Sequence, residues 1–197
     1  VAEKLLTDAA PASGTPGAPR LAWPVAVDAD QARERVRARL GRAGASAALQ
    51  ARLYLHPMLA VELAWHRRRR EGAAHALVDL VGGRAFVVEP WTEVPFVPVE
   101  ELAKLDGYSA RDVRDGAARF GPPVARVTVD EAVGTARRLL TSVLLRRRRL
   151  GSGSSFELRR DPLVVGKPNW WVTGSVSGRP VEVVVDAVSG RHYAFRG

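Results

Sequence analysis

Two stretches of the chain alternate apolar and polar side chains and close in the same way. Ala74–Val88 reads AHALVDLVGGRAFVV, and Val181–Phe195 reads VEVVVDAVSGRHYAF. In each, an apolar run ends in Val-Asp, a tight turn ends in Gly-Arg, and a short aromatic and aliphatic segment follows. Period-two alternation around such a turn predicts antiparallel β-hairpins. An Asp that opens a turn accepts hydrogen bonds from backbone N–H groups two or three residues on. Gly83 and Gly190 stand where a positive φ is needed. Turn geometry therefore accounts for Asp79 and Asp186 without a catalytic role.

The pattern extends upstream of both hairpins. Leu53–Trp65 alternates as a strand, with Pro57 suited to an edge, a bulge or a strand start, and His66–Gly72 reads as a charged hairpin tip. Pro57 matches Pro168 at a separation of 111, while Asp79, Gly83, Arg84, Phe86 and Val88 match Asp186, Gly190, Arg191, Tyr193 and Phe195 at 107. The difference falls at the intervening tip, where a true repeat tolerates it. Ala32, Val36 and Leu40 follow a capping Asp28 or Asp30 at helical spacing. Ala132, Ala136, Leu140 and Leu144 form a longer apolar helix face. A separation near 104 aligns the two helices. Between the units, Glu100–Leu105 predicts a short helix and Ser109 caps another through Val113, Ala117 and Phe120. Phe156–Gly178 supplies further strands. The expected organisation is a flexible tail over 1–22, an αβ unit over 23–90, a helical connector over 91–123 and a second αβ unit over 124–197.

Composition changes this picture little. The chain has 197 residues, 46% of them hydrophobic, and suits a folded core rather than disorder. Thirty Lys and Arg against twenty-one Asp and Glu give a net charge of +9, which favours polyanions, acidic membrane surfaces or acidic proteins. There is no cysteine, so disulfides and thiolate metal sites are excluded. The first ten residues lack the apolar core of a signal peptide. No apolar run approaches the length of a transmembrane helix. The compartment is left open.

No nucleotide-binding or serine-hydrolase motif occurs. His56, His66, His75 and His192 are scattered. His66 and His75 can be cross-strand neighbours, but no third ligand supports a metal, and solvated histidines suffice. No cofactor is expected. The exposed features that remain are two basic runs, Arg67, Arg68, Arg69, Arg70 and Arg146, Arg147, Arg148, Arg149, which suit phosphate contacts. Trp170 and Trp171 point to opposite faces of a strand, one for the core and the other covered or exposed as an anchor.

A helix followed by antiparallel strands ending in V-x-V-D-A-x-[ST]-G resembles the PepSY and cystatin-like αβ units. Val183, Val185, Asp186, Ala187, Ser189 and Gly190 carry the resemblance, and Val78, Asp79 and Gly83 carry it more loosely. It implies an α+β fold in which a curved antiparallel sheet wraps a helix, here duplicated in tandem. It also implies a non-enzymatic role as a protein- or peptide-interaction module. The alternative is a basic nucleic-acid- or polyanion-binding protein, and a third reading is a small-ligand carrier or enzyme using a concave sheet face. Homo-oligomerisation is open.

Overall fold

The structure, a computed structural model, describes Gly14, 16–67, 70–110, 113–115, 118–146 and 155–196. It is an α+β protein dominated by a large sheet. In chain order the elements are β1 (Leu21–Ala22), α1 (Ala29–Leu40), β2 (Ala48–Arg67), β3 (Arg70–Asp79), β4 (Ala85–Val88), β5 (Val97–Pro98) and α2 (Val99–Leu102). After them come β6 (Val113–Asp115), β7 (Ala118–Phe120), α3 (Val129–Arg146), β8 (Ser155–Leu158), β9 (Leu163–Val176), β10 (Arg179–Asp186) and β11 (His192–Arg196).

The chain forms two compact units, and neither is a contiguous stretch. One comprises 1–21, 57–96 and 124–165, the other 22–56, 97–123 and 166–197. In the first unit β3 lies between β2 and β4, and β8 pairs with the other side of β2. Helix α3 lays Ala132, Ala136 and Leu140 on Leu59, Val61, Leu63, Ala76 and Val78. In the second unit the order is β11-β10-β9-β2, and α1 lays Ala32 and Val36 on Trp170, Val172, Val183 and Val185. Each helix thus serves the hairpin remote from it in sequence. The contiguous spans 23–90 and 124–197 do not describe this packing.

Local hydrogen bonds explain the partner choice. In the first unit Leu80 O accepts from Arg126 N and Val127 N, tying the entry of α3 to the β3–β4 turn. In the second, Ala187 O accepts from Ala26 N and Val27 N ahead of α1. Both helices then start in a reciprocal cap, which satisfies amides that the helix itself leaves unpaired. Asp28 Oδ1 accepts from Gln31 N at 2.8 Å while Gln31 Oε1 accepts from Asp28 N at 3.0 Å. Thr128 and Glu131 make the same exchange at 3.3 and 2.9 Å. These caps lie 100 residues apart, so the equivalent helix positions are Ala32 with Ala132 and Val36 with Ala136. A separation of 104 sets the two caps four residues out of line.

The hairpins match bond for bond. Gly83 N donates to Asp79 O at 2.8 Å and Gly190 N to Asp186 O at 2.7 Å, while Asp79 N and Asp186 N donate to Arg84 O and Arg191 O, each at 2.8 Å. Gly83 and Gly190 have φ of 71° and 72°. Pro57 and Pro168 each precede the first cross-strand pair of their hairpin, Met58 with Asp79 and Asn169 with Asp186.

Four further expectations change. The reversal expected over His66–Gly72 does fall there but is tighter, because the ladder continues to Arg67 opposite Arg70. The helix expected over 109–120 is replaced by the antiparallel pair β6–β7. Leu21 and Ala22 form a buried strand rather than the end of a tail, and most of the proposed tail lies outside the described residues. Finally, β11 carries a bulge at Tyr193, since Val185 pairs with His192 but Val184 with Ala194. Phe86 is therefore equivalent to Ala194, not Tyr193, and the match of Val88 to Phe195 slips likewise.

Candidate functional site

The sequence-predicted site residues do not converge. Trp170 and Trp171 are both buried, at 2% and 1% exposure. Trp170 Nε1 donates to Val27 O at 2.6 Å and Trp171 Nε1 to Glu182 Oε1 at 2.9 Å. Neither indole is a surface anchor, because each ring is wholly covered. Arg67 and Arg70 are described as backbone only. Arg68, Arg69, Arg147, Arg148 and Arg149 lie outside the described residues. Arg146 is exposed at the end of α3. His66 pairs across the ladder with Glu71, and His75 with Glu62, so the two histidines are not neighbours. Among the described residues no three metal-ligating side chains come together.

Each unit instead holds a polar cluster that sequence reading missed. In the first, Glu62 sits on β2 on the face away from α3 and is 2% exposed. Arg159 Nη1 reaches its Oε1 at 3.2 Å, and Arg160 Nε lies 2.6 Å from Oε2. The Arg159 amide binds Glu62 O at 3.0 Å. Arg160 also stacks 5.5 Å from the ring centre of Trp91, and His75 meets that ring edge-on at 6.4 Å. Burial holds the His75 imidazole below its ordinary pKa; Glu62 pulls it the other way, and Arg160 and Arg159 add to the lowering. The only sequence signal was that Met58, Ala60 and Ala64, at the same parity as Glu62, are as apolar as the core positions. Such a strand is covered on both faces.

In the second unit Asp186 closes the β10–β11 turn and is saturated with donors. Its Oδ1 accepts from Val188 N at 2.8 Å, and its Oδ2 from Ser189 Oγ at 2.9 Å and Lys167 Nζ at 3.0 Å. The Tyr193 hydroxyl, at the bulge, donates to the same oxygen. Burial alone would raise the Asp186 pKa. The Tyr193, Lys167 and Val188 donors outweigh it and hold the carboxyl at about 2. A carboxylate so occupied is a lock, not a reactive group. Because the folded pKa lies below the ordinary 3.8, its contribution is present above about pH 4 and lost as pH falls through 2. After discount for the partly exposed Lys167 and Tyr193, it amounts to roughly 1–2 kcal/mol. Asp186→Asn should flatten that acid limb in urea-unfolding curves measured across pH. A limb unchanged by the substitution would remove Asp186 from the account.

The hairpins differ most at their outer strands. Both β4 and β11 end their strand orders. The edge of β11 is blunted by its bulge and by His192, devices that discourage further pairing. The edge of β4, Ala85-Phe-Val-Val88, has no charge, proline or bulge. Phe86 is 41% and Val87 45% exposed. Arg84 lies 5.3 Å over the Phe86 ring. Arg84 O bonds inward to Asp79 N, so strand alternation turns the N–H and C=O of Ala85 and Val87 outward. Among the described residues no strand pairs with this apolar β edge.

No protein-family model matches the sequence, and no curated protein or solved structure matches it either. No described helix is long and apolar enough to cross a membrane.

Proposed function

We propose that the chain is a non-enzymatic protein- or peptide-interaction module, a duplicated PepSY-like αβ unit that captures an extended segment along β4. The observation that carries the reading is the unblunted β4 edge, beside a sister hairpin whose edge is blunted. Edge strands left apolar and open are a hazard that proteins otherwise suppress, and strand addition is the recognition mode they support. The duplication rests on the shared turn bonds, the matched cross-strand pairs and the two reciprocal caps. In this reading the backbone of the partner pairs with Ala85 and Val87. Its side chains fall alternately beside Phe86 and beside Val87, and carboxylates near its end meet Arg84. The net charge of +9 favours an acidic partner. Polyanion binding through stacked tryptophans loses support, since both indoles are covered.

Val87→Pro tests the mode directly. The Val87 N–H is not used within the β3–β4 ladder, so proline there leaves the fold in place and blocks an added strand. Extended peptides selected by display on the full chain should bind the wild type and Val87→Thr, and lose at least about tenfold in affinity on Val87→Pro. Equal binding to the proline variant would sink strand addition at β4.

A further inference from the structure

We infer that the outer face of α3 is a second contact for that partner and takes an acidic, leucine-bearing peptide segment. The inference rests on the interaction-module reading and adds the chemistry of what is bound. A shallow groove of about 690 Å³ runs along this face, lined by Arg137, Arg138, Thr141, Ser142, Leu145 and Arg146. These positions recur every three or four residues, opposite the buried stripe Ala132, Ala136, Leu140 and Leu144. The three arginines are exposed, and Leu145 is half exposed. None of the arginines is ion-paired among the described residues.

Helix-dipole complementarity accounts for Arg146, which sits in the last turn. It does not account for Arg137 and Arg138, which lie mid-helix. Arg138 uses one N–H on Thr135 Oγ1 at 2.9 Å, leaving most of its donors available. Adjacent guanidinium groups beside two hydroxyls are suited to carboxylates, which arginine grips with paired N–H donors. The exposed Leu145, two turns further along beside Arg146, gives an apolar side chain a place to rest. A bare phosphate backbone would leave that place empty, and the buried indoles give bases nothing to stack on. The groove therefore fits glutamates and aspartates interspersed with leucine better than it fits a nucleic acid. Because α3 packs against β4 as well as β3, groove and edge belong to the same unit.

The test is fluorescence anisotropy of a short dye-labelled peptide of glutamates and leucines, titrated with the full chain. Binding should be evident at low ionic strength and weaken as salt rises, since exposed charges are screened. Arg137→Glu with Arg138→Glu should weaken it about tenfold or more, and the milder Arg137→Gln with Arg138→Gln should weaken it less, in the same direction. Val87→Pro should leave binding of this probe unchanged, so that failure of the groove and failure of the β4 edge are told apart. Binding unaffected by the charge reversals, or no binding at low salt, overturns the proposal. So does displacement by a single-stranded oligonucleotide of equal charge at lower concentration than the unlabelled peptide.

Discussion

Replacing Arg159 and Arg160 together with alanine should destabilise the protein by about 3–5 kcal/mol, whereas Glu62→Gln should cost only about 1 kcal/mol. The asymmetry follows from where the charge sits. Glu62 is almost fully buried on a strand paired on both sides. Its carboxylate is separated from water and is offset by guanidinium groups at 3.2 and 2.6 Å. Without them an uncompensated charge stays in place, because β2 cannot move to expose it. Glutamine keeps the shape of Glu62 and removes the charge that needed an offset, and both arginines are exposed enough to return to solvent. The combination of all three substitutions should recover most of the loss, a coupling measurable by urea unfolding as a mutant cycle. Equal losses for the double arginine variant and for Glu62→Gln would show that the cluster carries no buried charge that matters.

Trp170→Ala is expected to be about as damaging, at roughly 3–5 kcal/mol. The ring fills the centre of the second unit among Val27, Val36, Leu53, Val172 and Val183. Its Nε1 holds Val27 O at 2.6 Å, next to the residue that caps α1. Truncation therefore empties the core and loosens the entry of the helix that covers it. Trp170→Phe retains most of the ring and leaves only the Val27 carbonyl unpaired, for roughly 1–2 kcal/mol. Thermal unfolding of both variants separates the two contributions. A tryptophan used for surface stacking would behave oppositely, with stability unchanged and ligand affinity reduced.

The local part of this fold was legible because its signals are local. Asp79 and Asp186 announce their turns through side chains that reach two residues ahead, and Gly83 and Gly190 announce the positive φ. The exchange of helices was not legible, because which hairpin a helix covers depends on contacts such as Leu80 O with Arg126 N, far apart in sequence. The pair β6–β7 had a signal that helical spacing obscured: Asp115-Gly116 is a hairpin dipeptide, and Val113, Ala117 and Phe120 also satisfy a helix. The bulge at Tyr193 was invisible, since one extra strand residue leaves no mark in composition. Of the candidate site, Phe86 and Val88 were read as a strand. Their position at an edge is a property of strand order, which no stretch of sequence carries. The mid-helix arginines of α3 carry no local signal that separates them from an ordinary solvated helix face.

Amide hydrogen exchange on the full chain, with and without a display-selected peptide, tests strand capture at β4 most directly. The outward Val87 N–H should exchange rapidly in the free protein and become strongly protected on peptide addition, while the Phe86 N–H, already turned toward β3, changes little. Protection that appears elsewhere and leaves Val87 exchanging as before would contradict the account.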